Sequence, residues 1–206
     1  MRRLMRDHPV VDLAVTIVVV IGCFYLIQLW VVKPYRIPST SMVPTLEVSD
    51  HVFAARFLYH LSDPARGDIV VFHPNGVGKD VFKTNTISSD VYVKRLVGMP
   101  GEVIGSAEGH VYVCADGKDP KDAFAPARTP GCRVLEEPYV HGRATGACAS
   151  VGGDFGPTLI RPGHYYMLGD NRTSSKDSRC WGDIRESQII GRAFLTYWPL
   201  DRLSIY

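Results

Sequence analysis

The chain reads as mainly β: an antiparallel sheet domain preceded by a single N-terminal transmembrane helix. Three observations lead there. The apolar segments after residue 33 are short, rich in Val, Ile, Tyr and Phe, and divided by turn signals at intervals of about 8 to 12 residues. No long amphipathic helical pattern interrupts them. Ahead of them stands an uncharged run, LAVTIVVVIGCFYLIQLWVV, from Leu13 to Val32.

The helix comes first. At about 1.5 Å per residue the run of residues 13–32 covers about 30 Å, the thickness of a bilayer core. Lys33-Pro34-Tyr35-Arg36 follows it where a cleaved leader would show a small-x-small site, so it reads as a retained anchor. Arg2, Arg3 and Arg6 precede it, while Lys33 and Arg36 follow. That excess of basic residues, with the free N-terminus, puts residues 1–12 in the cytoplasm and residues 33–206 outside.

The sheet elements follow in order. Pro34 and Pro38 bracket a short stiff connection. His51 to Ala54, Asp68 to Phe72 and Val91 to Val97 read as strands, the last two stopped by Pro74-Asn75-Gly76 and Gly98-Met99-Pro100-Gly101. Val103-Ile104 and His110 to Val113 form a hairpin pattern. His164 to Leu168 leads into a polar loop, and Ile189 to Trp198 is a final strand with an internal glycine suited to a bulge. Ile184 to Ile190 has room for a helical turn or two.

Five cysteines are present: Cys23, Cys114, Cys132, Cys148 and Cys180. Cys23 lies within the apolar run, and the other four lack C-x-x-C spacing, which argues against zinc. In an oxidising compartment those four allow three connectivities. The stretch between Cys114 and Cys132 is polar and Pro-containing, an insertion at a hairpin tip. A bridge between these two would staple it for about 3 kcal/mol by chain-closure entropy; the alternative is a loop with two free thiols. Cys180 either stays free or pairs with Cys148. The net charge of +2 gives no support for a nucleic-acid partner.

Three segments concentrate polar residues: Pro38-Ser39-Thr40-Ser41-Met42-Val43-Pro44-Thr45-Leu46, Tyr92-Val93-Lys94-Arg95 with Gly98-Met99-Pro100-Gly101-Glu102, and Gly169-Asp170-Asn171-Arg172-Thr173-Ser174-Ser175-Lys176-Asp177-Ser178-Arg179. Each alone has a bland explanation as loop hydroxyls, a snorkelling lysine or a solvated turn. Together, with the strand Arg66-Gly67-Asp68-Ile69-Val70-Val71-Phe72 and the apolar anchor, they resemble the bacterial type I signal peptidases. The resemblance runs from the anchor to about Trp198 and is weakest between about Gly105 and Arg161.

That resemblance implies a serine endopeptidase of the signal peptidase fold, with residues 33–206 as an extracytoplasmic catalytic domain on the bacterial plasma membrane. Ser41 would be the nucleophile and Lys94 its general base. Ser175 would orient the Lys94 amine, braced by Asp177 and Arg179. Ser39 and the Ser41 N–H would form the oxyanion hole. Tyr35, Ile37, Met42, Leu46, Tyr92 and Val93 would line the substrate pockets. The partners implied are signal peptides of exported preproteins, the bilayer and the export translocon, acting on a monomer with no cofactor and no metal.

Two rivals remain. A Ser-His-Asp hydrolase could draw on His51, His60 or His73, but no Gly-x-Ser-x-Gly is present. A catalytically inactive, membrane-tethered β module would use the same fold for binding alone.

Overall fold

A computed structural model describes residues 9–55, 57–74, 91–115, 130–143 and 154–206, and within these leaves aside the side chains of 25–30 and 60. The first eight residues, the interior of the 114–132 loop and Cys148 lie outside the described residues.

The helix α1 runs Pro9–Trp30, beginning before the uncharged run because Pro9 is tolerated in a first turn, and ending before Val32. Val10, Leu13 and Val18 on it are 77%, 62% and 69% exposed, so no protein surface covers them. Counting described residues only, no helix is long and apolar enough to cross a membrane.

Where the sequence suggested a stiff connection, the structure has a strand. β1 (Val32–Arg36) pairs antiparallel with β2 (His51–Ala55), Pro34 facing Phe53. Proline has no N–H to give a ladder and is confined to edge strands, which is where β1 lies. β3 (Ile69–Phe72) pairs with β4 (Tyr92–Gly98), β4 with β9 (His164–Leu168), and β9 with the short β10 (Ile184–Arg185). β11 (Ile189–Trp198) lies between β2 and β3 and also pairs with β12 (Ser204–Ile205). The order is β1-β2-β11-β3-β4-β9-β10. Register shifts along β11 fall around Ile190, next to the glycine that suggested a bulge, and again nearer Trp198.

A second sheet carries β5 (Val103–Ala107), β6 (His110–Cys114), β7 (Cys132–Val134) and β8 (Thr158–Leu159) in the order β7-β6-β5-β8. Cys114 and Cys132 face each other across β6 and β7 and form a disulfide that closes the loop. Cys180 is disulfide-bonded too, and not free; Cys148, the partner its sequence reading offered, is outside the described residues.

The central strands are buried on both faces, which is why β3 reads IVVF without alternation. Ile69, Val70, Val71 and Phe72 are each at most 1% exposed. Burying each such side chain stabilises the fold by roughly 1.5–3 kcal/mol. Ile69 and Val71 join one apolar cluster with Ile37, Met42 and Leu46; Val70 and Phe72 join another with Leu96 and Met167.

The Arg66-Gly67-Asp68 segment is a corner brace. Arg66 ion-pairs with Glu102 and donates to the Val97 carbonyl; Asp68 accepts from Tyr59 and the Ala65 N–H. Two one-turn helices, α2 (Leu58–Leu61) and α3 (Ser178–Trp181), complete the described chain with three short 3-10 turns, one of them at Glu186–Gln188.

Candidate active site

Three elements converge. The segment after β1 tightens into a 3-10 turn at Thr40–Met42, which carries Ser41. Lys94 sits in the middle of β4, paired with β3 on one side, and next to Arg95, which faces Leu168 of β9. β9 ends at Leu168, and its following loop brings Gly169 to Asp177 back over the serine. Asn171 fastens the two loops: its N–H donates to the Ser41 carbonyl at 3.1 Å and its Nδ2 to the Thr40 carbonyl at 3.2 Å.

Lys94 Nζ lies 2.6 Å from Ser41 Oγ, and it donates to its neighbour's carbonyl, that of Val93, at 2.9 Å. The serine is 6% exposed and the lysine 3%. Burial lowers the Lys94 amine from 10.5 to about 8; Asp177 and Asp170 oppose that shift and Arg179 assists it. An amine so placed can take a proton from the hydroxyl it touches, the activation a serine nucleophile needs. Ser39 is exposed, with its Oγ 3.3 Å from Ser41 Oγ.

Ser175 is buried beside this pair. Its Oγ is buried with no hydrogen-bond partner, while the Lys94 amine contacts Ser41 and Val93. It is held there by packing. A Cβ added at Gly169 would collide with the Ser175 side chain and come within 2.5 Å of the Ser41 carbonyl oxygen. Asp177 caps α3 through the Arg179 N–H, accepts from the Gly169 N–H at 3.0 Å and pairs with the Arg179 guanidinium. Arg179 in turn donates to the Ser175 carbonyl.

Arg95 and Asp170 have no role assigned by the sequence. They form a buried, two-point ion pair at 2.9 and 2.6 Å, and Arg95 also reaches the Gly67 carbonyl. Thr45 donates to the same Asp170 carboxylate. The available signal was the adjacency of an arginine to Lys94 inside an apolar strand.

The six pocket candidates separate. Ile37, Met42 and Leu46 are closed into the core at 2%, 1% and 0% exposure, with Tyr35 and Val93 packed partly buried against them. Tyr92 points to the opposite face of β4, against Phe72 and Trp181, with the Lys94 amine 5.8 Å from its ring. His51 is engaged with Tyr197 on the far strand pair, which removes it from a triad with Ser41.

A family model for "Signal peptidase, peptidase S26" matches residues 10–198. The chain belongs to this family. A probable signal peptidase I-2 of Synechocystis sp. is 34% identical over 87% of this chain and 69% of its own length. A signal peptidase I of Leptolyngbya laminosa is 32% identical over 96% of this chain and 84% of its own. A solved signal peptidase I from Enterococcus faecalis V583 has a TM-score of 0.41 and 23% identity, covering 64% of this chain and 97% of that one, a likeness that adds nothing to the family assignment. Within the family match, Ser41, Lys94 and Ser175 come from three separate stretches of sequence, all inside residues 10–198.

Proposed function

We propose that this signal peptidase family member removes N-terminal signal peptides from exported preproteins, cutting after small-x-small sites through an acyl-enzyme on Ser41. The observation that carries it is the buried 2.6 Å contact between Lys94 Nζ and Ser41 Oγ. Lys94 takes the hydroxyl proton as Ser41 Oγ attacks the scissile carbonyl, then hands it to the departing amine. Water, activated by the same amine, clears the ester. The Ser41 N–H and the Ser39 hydroxyl stabilise the oxyanion, and Ser175 fills the space behind the dyad. The substrate lies extended against the free edge of β1, near Tyr35 and Val93.

In this reading α1 is a single membrane anchor. Its sequence carries one charge, Asp12, in 22 residues, and its described apolar side chains face no protein. Residues before it are cytoplasmic and the sheet domain is outside the plasma membrane, where the Cys114–Cys132 disulfide suits the oxidising side. The bilayer and the translocon are then its neighbours, and the enzyme acts as a monomer. A reading without catalysis has no observation in its favour.

The test uses the full chain in detergent on a peptide with an Ala-x-Ala site. Cleavage after the second Ala is expected, with kcat/KM rising about tenfold per pH unit until Lys94 is neutral, then levelling above about pH 8. The sign follows from the base acting only when deprotonated. A profile flat from pH 6 to 9 would exclude Lys94 as the base, and no cleavage of several such peptides would end the peptidase reading.

A further inference from the structure

The residues after β7 carry none of the motifs behind the family resemblance, yet they reach the active site from behind. Leu135 donates to the Val111 carbonyl, continuing the second sheet. Six residues on, the His141 N–H donates to the Asp170 carbonyl at 2.9 Å, and the Arg172 N–H donates to the His141 carbonyl at 3.2 Å. Between these ties, Glu137 receives both terminal nitrogens of Arg172, at 3.0 and 2.6 Å. Their side chains are 8% and 1% exposed. The Tyr139 hydroxyl donates to Glu137 at 3.0 Å, and its ring lies 3.9 Å from the Arg95 guanidinium carbon.

Arg172 and Arg95 are therefore both contacted by this one segment. Arg172 passes the constraint on: its Nε donates to the Gly169 carbonyl at 3.0 Å. Gly169 is the residue packed without clearance between Ser175 and the Ser41 carbonyl. Arg95 passes it to Asp170, which continues into Asn171 and the Ser41 carbonyl. A buried ion pair is weak evidence for stability, because desolvation offsets the attraction. Its two-point geometry does fix angle and distance, which an apolar contact would not.

We propose that Glu137 and Tyr139 are positioning residues for the Ser41–Lys94 dyad, acting through Arg172 and Arg95 to set Gly169 and the packing of Ser175 against the nucleophile's backbone. The proposal deepens the peptidase reading and rests on it for its kinetic effect, but one of its readouts needs no cleavage.

Glu137→Gln keeps the volume and removes the charge; Tyr139→Phe keeps the ring over Arg95 and removes the hydroxyl. Both are compared with wild type by kcat and KM on the Ala-x-Ala peptide and by nitrogen-15 NMR titration of the Lys94 amine. The charged groups facing that amine are Asp170, Asp177 and Arg179, with the Tyr92 ring beside it; all remain in both variants. Losing the Glu137 charge would by itself push the midpoint down, so a midpoint moved up reports altered packing and water entry. For Glu137→Gln the expected result is a fall of about 10- to 100-fold in kcat, KM within about twofold, and a Lys94 midpoint moved up toward the ordinary lysine value. Tyr139→Phe shows the same direction at several-fold. Wild-type kcat and an unmoved midpoint in the folded variant overturn the proposal, whatever the melting temperature, as does a change confined to KM. If Glu137→Gln does not fold, Tyr139→Phe decides by the same readouts. If wild type cuts nothing while the midpoint still moves, the peptidase reading fails and the positioning role stands.

Discussion

Lys94→Met should lose peptide cleavage by about 10⁴-fold or more and, at pH 6, melt higher than wild type. Methionine matches the lysine stem and brings no charge into a site that is 3% exposed. The lost base leaves Ser41 with nothing to accept its proton, and residues that act as a catalytic unit cost most of the rate when any one is removed. The stability gain comes from linkage. The folded amine titrates at about 8 and the unfolded one at the ordinary 10.5. Between those values the unfolded chain binds more protons, so the wild-type protein gains stability as pH rises through that window and loses it as pH falls through about 8. Methionine carries no such penalty. The gain should be about 1–3 kcal/mol at pH 6, less what the Val93 carbonyl and Ser41 Oγ lose with their donor, and should vanish by about pH 10.5. Thermal melts at pH 6 and pH 10.5 check both ends. A variant that melts lower at pH 6 would mean that Asp170 and Asp177 outweigh burial at this amine.

Gly169→Ala should cost at least about 10²-fold in kcat with little change in fold content. The added methyl meets the Ser175 side chain and the Ser41 carbonyl oxygen, 2.5 Å away, and neither is the far end of a flexible chain. Either the serine turn or the Ser175 loop must shift by a fraction of an ångström to an ångström, and displacements of that size separate a reacting pair from its working geometry. Circular dichroism and activity on the same sample distinguish this from unfolding. Full activity in Gly169→Ala would show that the loop yields freely and that the tight contact sets nothing. A double variant, Gly169→Ala with Ser175→Ala, removes the atom the methyl strikes first; partial recovery is the expected signature of steric displacement.

The sheet was legible because its strands obey local rules. IVVF and YVKRLVG are short runs of strand-favouring residues ended by Pro and Gly, and the bulge in β11 sits where Gly191 interrupts the pattern. β1 was not legible: Pro34 signals a break unless one knows that its strand is an edge, and edge position is a property of the whole sheet. The single turn of α3 had a readable signal in Asp177, an acidic N-cap before Ser178-Arg179, but a four-residue helix has no period to detect. The dyad itself is separated by 53 positions, and no spacing rule joins Ser41 to Lys94; the family resemblance did. The resemblance also implies a hydrogen bond from Ser175 to the Lys94 amine, whereas Ser175 Oγ is buried here with no partner; motif identity carries residue types and not donor geometry. Glu137 and Tyr139 were invisible because they lie in the stretch where the resemblance thins, and their partners are reached only through tertiary contact.

The passage from α1 to β1 leaves only Val31 between the last helical residue and the first strand residue. So short a link limits how far the helix can move away from the strand. Were the helix seated in a bilayer, as proposed above, the sheet domain would be mounted like a blade on a post. β1 has five residues, about 17 Å of reach at about 3.4 Å each, and the serine turn follows soon after it. On that proposal the height at which the molecule cuts would follow the reach of one edge strand, and a polypeptide presenting its bond too deep or too far out would pass it untouched.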